Sequence, residues 1–151
     1  MRKAVNDMTY SAHRSPADSA ALTSRPLVLV VDDDPNLSSL ILMLLEEMAI
    51  PALALPNADE GLAWLQAHPQ AVALLLTDVH MPGSLDGAEL AQLCASRWPE
   101  VPVVVMSGDA DGSCQGAGQF LRKPFDLQHL AMLIQATLAG NQRAAVSRHR
   151  Q

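Results

Sequence analysis

The stretch Val72-Ala73-Leu74-Leu75-Leu76-Thr77-Asp78 constrains this chain more than any other. Val72 to Leu76 is a short apolar run without polar alternation, and it leads into a carboxylate followed by His80-Met81-Pro82-Gly83. Such a run reads as a strand buried on both faces, the pattern of a parallel sheet covered by helices. In open α/β sheets ligands sit beyond the carboxyl ends of the strands, so Asp78 falls where such folds do their chemistry. An aspartate ahead of a Pro-Gly turn can also serve as a plain turn cap. What the other strand ends carry decides between the two.

The first 25 residues are mixed Ser, Ala, Asp, Arg and Thr without periodicity and are expected to form a flexible arm. A first strand, Leu27-Val28-Leu29-Val30-Val31, stops at Asp32-Asp33-Asp34. Asp34-Pro35 opens a helix, with an acceptor at the N-cap and proline at the first helical position. That helix carries Leu37, Leu40, Ile41, Leu44, Leu45 and Met48 at spacings of three and four, and Ile50-Pro51 ends it. A weak second strand follows at Ala52–Leu55. Asn57 and Glu60 then resemble a capping box ahead of a second helix through Leu62 and Leu65.

After the strand ending at Asp78, a loop through Gly87 leads to a third helix bearing Ala88, Leu90, Ala91, Leu93 and Cys94, and Trp98 is expected to plug the sheet end. The fourth strand is Val101 to Met106, ending at Ser107-Gly108. A Gly-rich passage from Asp109 to Gly118 shows no helical stripe. A short fifth strand, Gln119 to Arg122, ends at Lys123-Pro124. The last helix is expected from Asp126 to about Leu138, with Gly140 as its cap and a frayed tail beyond. Strands alternating with helices imply βαβ units, right-handed crossovers and one parallel sheet.

Composition narrows the function. With 49% hydrophobic and 17% charged residues the chain suits a folded domain, and 151 residues are one domain's worth. A net charge of -6 and 3% aromatics argue against nucleic acid as a direct partner. Two cysteines fit neither a disulfide framework nor a zinc site, and a reduced cytosolic setting follows. No apolar run approaches the ~20 residues of a membrane span, and the amino terminus lacks a signal-peptide core. Met43, Met48, Met106 and Met132 read as core filler, and His68 and His129 as surface residues.

Asp32, Asp33, Asp78, Ser107 and Lys123 all sit at strand ends on one edge of one sheet. Clustered carboxylates repel, and a cation relieves them. All-oxygen ligands suit a hard ion, and a few carboxylates with water suit Mg²⁺. Asp78 can then act as a nucleophile toward phosphorus. The ion and the Lys123 ammonium would offset charge on the transferring group, with Ser107 hydrogen-bonding a phosphoryl oxygen.

Val30-Val31-Asp32-Asp33-Asp34-Pro35, Thr77-Asp78-Val79-His80-Met81-Pro82-Gly83, Asp86-Gly87, Met106-Ser107-Gly108 and Phe120-Leu121-Arg122-Lys123-Pro124-Phe125 occur in this order. Together they resemble the receiver domain of two-component response regulators, over about residues 26–139. The resemblance implies a flavodoxin-like doubly wound sheet of five parallel strands in the order 2-1-3-4-5. It makes Asp78 the phosphoacceptor. Asp33, Asp78 and the backbone carbonyl of His80 become Mg²⁺ ligands, with Asp32 acting through a metal-bound water. Ser107 becomes the switch hydroxyl, Phe120 the switch aromatic and Lys123 the phosphoryl-pairing cation. A cis Lys123-Pro124 bond and a phosphodonor, either a histidine kinase or a histidine phosphotransfer protein, are also implied.

Two departures stand out. The loop from Met81 to Gly87 is one residue longer than the family's commonest form. The interval from Ser107 to Lys123 is shorter than usual by about six residues, more than a helical turn. The fourth helix of the family is therefore expected to be missing or reduced, as in similar single-domain receivers.

Three function classes compete: a phosphorylation-controlled signalling module, a phosphatase of the haloacid-dehalogenase type, and a receiver-like module that binds a protein without phosphorylation. The phosphatase pattern needs Thr or Val where this chain has Asn36, and there is no room for a cap domain. The full acidic, hydroxyl and ammonium set weighs against the third. Residues 1–25 and 140–151 are too short for an output domain, so a stand-alone cytoplasmic module is expected. It would not be an enzyme in the ordinary sense, and it would act on a downstream protein rather than on DNA or a membrane.

Overall fold

The computed structural model describes residues 25–108 and 118–150, with side chains through Gly140. Five parallel strands, β1 (Leu27–Val31), β2 (Ala52–Leu55), β3 (Val72–Asp78), β4 (Val103–Ser107) and β5 (Gln119–Arg122), form one sheet. Their order is β2-β1-β3-β4-β5. From β1 the chain crosses outward to β2, then returns past β1 to β3. The crevice where the order reverses therefore lies between the ends of β1 and β3, the ligand position of doubly wound sheets.

The sheet is the middle of three layers. On one face Val28 and Val30 of β1 and Leu74 and Leu76 of β3 meet Ile41 and Leu45 of helix α1 (Pro35–Glu47). Leu130 and Ile134 of helix α4 (Leu127–Arg150) complete that layer. On the other face Leu29, Val31 and Leu75 meet Leu65 of helix α2 (Ala58–Ala67). Leu90 and Cys94 of helix α3 (Gly87–Arg97) lie beside them. Both faces of β1 and β3 are covered, so every β1 side chain is buried, as the unbroken apolar runs require. Each fully buried Leu or Val contributes about 1.5–3 kcal/mol.

Helix ends follow the local chemistry. The Asp34 side chain caps α1 by accepting from Asn36 N. Asn57 caps α2 by accepting from Glu60 N at 2.8 Å. Asp86 and Glu89 form a reciprocal capping box at α3. Helix α1 closes in a Schellman pattern, with Ile50 N donating to Leu45 O and Ala49 N to Glu46 O. The left-handed residue of that motif is Ala49, at φ 60°.

Four expectations need correction. Helix α4 does not stop at Gly140 but continues to Arg150. One glycine costs about 1 kcal/mol against alanine, and the Ala, Asn, Gln and Arg residues around it do not enforce a stop. Met43 and Met132 are not core filler, being 59% and 61% exposed. Leu40 is also exposed, because the buried stripe of α1 centres on Ser38, Ile41 and Leu45 with Leu37 and Leu44 at its edge, and Leu40 falls just beyond that edge. Strand β4 begins at Val103, two residues later than the apolar run suggests. Pro102 precedes it and has no N–H for a ladder.

Cys94 is buried, as its place on the apolar stripe implies. Trp98 packs partly buried against the α2–α3 core. The expected arm and the reduced fourth helix fall on residues 1–24 and 109–117, outside the described residues, as does Cys114. No helix among the described residues is long and apolar enough to cross a membrane.

Candidate functional site

Each acidic site residue is placed by a strand that stops. Asp32 follows β1 directly, and Asp78 is the last residue of β3. The parallel β1–β3 pairing, with Val31 opposite Thr77, brings Asp32 level with Asp78. Carboxylate oxygens of Asp32, Asp33 and Asp78 all lie within 4.8 Å of one another. Asp32 and Asp78 are buried and Asp33 is exposed at the mouth.

Strands β4 and β5 bring in the remaining groups. Asp78 pairs with Met106 in the β3–β4 ladder, so Ser107, buried, is the next residue along at the same edge. Lys123 N donates to Ser107 O at 2.8 Å, which fixes the start of the lysine against the end of β4. The Lys123 ammonium reaches back to donate to Asp78 Oδ1 at 3.0 Å and lies 3.6 Å from Asp32 Oδ2. The Lys123-Pro124 peptide is cis. Phe120 lies on β5, 48% exposed, and His80 is exposed just past Asp78.

The electrostatics is unbalanced. Burial pushes the Asp32 carboxyl above its ordinary range. The Asp34 amide, which donates to Asp32 Oδ1 at 2.8 Å, and the Lys123 charge offset only part of that. Burial alone would lower the Lys123 ammonium, but its hydrogen bond to Asp78 and the charges of Asp32 and Asp78 outweigh this, and the net shift is upward. Asp32 Oδ2 is buried without a hydrogen-bond partner. Its nearest partner is the Lys123 ammonium at 3.6 Å, too far for a hydrogen bond, and a buried carboxylate oxygen left so poorly satisfied suits a further positive partner.

A divalent cation fits that description. Three carboxylates and one ammonium carry a formal excess of two negative charges, which one Mg²⁺ balances. Ligand oxygens at ~2.1 Å from Mg²⁺ are at most about 4.2 Å apart, and a cluster whose oxygens all lie within 4.8 Å of one another is on that scale.

The wall beside Asp78 depends on a glycine. Gly87 opens α3, its N–H donating to Val79 O at 2.8 Å. A Cβ on Gly87 would overlap the carbonyl oxygen of Asp78. On the opposite side Ser38 of α1 is buried with its hydroxyl near Asp32 O, at 3.5 Å. Sequence reasoning missed both contacts, and also the pairing of Ser84 with Asp59 described below. Gly87 alone had left a signal, in the Asp86-Gly87 pair.

The family model for the response regulator receiver domain matches residues 28–135. The chain belongs to that family. It is 34% identical over 118 residues to the nitrogen assimilation regulatory protein NtrX of Azorhizobium caulinodans, covering 74% of this chain and 26% of that protein. It is 31% identical over 121 residues to the DNA-binding transcriptional regulator NtrC of Salmonella typhimurium, covering 76% of this chain and 25% of that one. The chain thus spans about a quarter of the length of these curated relatives. A receiver domain protein structure from Clostridium thermocellum superposes with a TM-score of 0.71 at 25% identity, covering 79% of this chain and 98% of that one. Both relatives are named as regulators, and receiver domains are signalling modules rather than conventional enzymes.

Proposed function

We propose that this receiver domain takes a phosphoryl group onto Asp78 from a phosphohistidine donor, a histidine kinase or histidine phosphotransfer protein, and signals through the resulting change of surface. The observation that carries the reading is the Asp78 carboxylate held at the strand edge, 3.0 Å from the Lys123 ammonium and beside Asp32 Oδ2, which is buried without a hydrogen bond. Asp33, Asp78 and the His80 carbonyl would hold Mg²⁺, with Asp32 acting through water. The bound ion supplies positive charge for the phosphoryl oxygens and neutralises the carboxylates.

In the transfer, an Asp78 carboxylate oxygen forms the new P–O bond as the P–N bond to the donor imidazole breaks, and the imidazole nitrogen leaves with the electron pair. The Lys123 ammonium, already paired with Asp78, moves onto a phosphoryl oxygen as the carboxylate loses its charge. Ser107 donates its hydroxyl to another phosphoryl oxygen, and that movement is read out at Phe120. Phosphorylation then shifts a pre-existing balance between two surfaces. We place this in the cytoplasm. The downstream partner is a protein, or DNA reached through further domains such as those of the relatives named as DNA-binding regulators.

The test is intact mass after incubation with acetyl phosphate, with and without Mg²⁺. A gain of one phosphoryl group that needs Mg²⁺ and disappears in Asp78→Asn is the expected result. An adduct retained in Asp78→Asn overturns the assignment of the acceptor. No adduct in wild type would instead favour a phosphate-independent binding module, and steady phosphate release without an adduct a phosphatase.

A further inference from the structure

The segment between Asp78 and α3 is a closed loop held at three points. At its base Gly87 N donates to Val79 O at 2.8 Å, joining its two ends. Met81 is buried in the α2–α3 core and Leu85 packs against it. Its tip is held from outside. Ser84 Oγ donates to Asp59 Oδ1 at 2.7 Å, and Ser84 N lies 3.3 Å from Asp59 Oδ2.

Asp59 belongs to a different unit, the first turn of α2. Gly83 makes the approach feasible in two ways. Its φ of 129° is a conformation that side-chain-bearing residues rarely adopt, and a Cβ there would sit 2.8 Å from Asp59 Oδ2. Loop and helix are therefore built for each other at a point where neither touches the carboxylates.

We propose that Asp59 is a positioning residue for the metal-binding edge, acting through Ser84 to hold the Val79–Gly87 loop in its ion-binding shape. This rests on the reading of the site as a Mg²⁺-dependent phosphoacceptor, in which the His80 carbonyl is a ligand. His80 lies inside the loop, between the buried Val79 and the buried Met81, and its carbonyl direction is set by how the loop is held. With both carboxylate oxygens on Ser84, Asp59 fixes the tip in position and orientation, as a bidentate partner does. Without it the tip gains freedom, and the carbonyl must be ordered when the ion arrives, which weakens binding.

The experiment is a double-mutant cycle read by calorimetric Mg²⁺ titration of the metal-free full chain, using Asp59→Ala, Ser84→Ala and the double variant, with the metal-free melting temperature measured in parallel. Asp59→Ala also removes an acidic group from the start of α2, so Ser84→Ala, which leaves that helix untouched, is the cleaner variant. Each single change is expected to raise the Mg²⁺ dissociation constant about threefold, less than the roughly tenfold that follows loss of a group bonded directly to a metal ligand, since Ser84 stands four residues from His80. The double change should cost no more than the worse single one, and Ser84→Thr, which keeps the hydroxyl, should restore binding. Hydrogen exchange of the His80–Leu85 amides should quicken in the single variants.

Unchanged Mg²⁺ affinity in Ser84→Ala overturns the proposal, as do additive losses or a fall in melting temperature without loss of affinity. If wild type itself bound no Mg²⁺, or bound it equally after Asp33→Ala, the functional reading would fall first. Quickened exchange in the metal-free variants would then still show the loop being held by Asp59.

Discussion

Replacing Gly87 by alanine sets two physical effects against each other, and the structure says which wins. Helix propensity favours the change: alanine in a helix is worth up to about 1 kcal/mol over glycine. Sterics opposes it, because the new methyl would overlap the Asp78 carbonyl oxygen and come within 3.0 Å of Val79 Cα. Both are backbone atoms of a buried strand end and cannot rotate away. Relief requires α3 to retreat from β3, which stretches the Gly87 N–Val79 O hydrogen bond, worth about 1 kcal/mol, and adds roughly 1–3 kcal/mol of overpacking. After subtracting the propensity gain, a net loss of about 1–3 kcal/mol remains.

Gly140 is the internal control, since a Cβ there meets nothing within 4 Å. Gly140→Ala, in the continuous part of α4, should gain about 0.5–1 kcal/mol. Urea unfolding of both variants beside wild type reads the difference directly, and melting temperatures should move by about 3 °C per kcal/mol for a chain of this size. If Gly87→Ala proved as stable as wild type, or the two substitutions shifted stability in the same direction, the close approach of α3 to Asp78 would not exist as described.

Further outcomes follow from other parts of the structure. Ala49→Gly should stabilise by about 0.5–1 kcal/mol in urea unfolding, because Ala49 holds a left-handed conformation that glycine adopts freely. In metal-free protein, Asp32 with its raised pKa binds its proton more tightly folded than unfolded. Its contribution therefore falls as pH rises from the usual 3.8 through the raised value. Asp32→Asn should flatten that part of the stability–pH profile and, with EDTA present, unfold at higher urea at pH 7. The gain should be on the order of 1 kcal/mol, and a less stable variant would mean that the pairing with Lys123 outweighs the cost of burying the charge. Cys94, buried and with its thiol pushed up to about 12, should resist iodoacetamide at pH 8 in a Cys114→Ser background and react once the chain is unfolded.

Much of the fold was legible because local and global signals agree in this chain. The strands of β1 and β3 read as doubly buried, and they are. Asp34 and Asn57 read as caps, and both accept the expected amide. The co-location of Asp32, Asp33, Asp78 and Lys123 also followed from strand order, since parallel strands put all their carboxyl ends on one edge. What did not show was whatever depends on width or on distant approach. A spacing of three and four does not say how wide a buried stripe is, so Leu40 was placed inside while Ser38, a polar residue, took the buried position. Gly140 looked like a stop because a glycine after an apolar stripe usually is one. The Ser84–Asp59 contact joins residues 25 apart in sequence, one on a loop and one in the first turn of α2, and neither residue has a pattern that announces it.

Lys123 lies 45 residues after the carboxylate it pairs with. The carboxylates are all in place along the chain by the end of β3, and the cation that offsets them comes only after β5. A chain stopped at Ser107 would carry the three carboxylates without the Lys123 ammonium. The last strand, four residues long, supplies little core, but it leads into the charge that completes the rest.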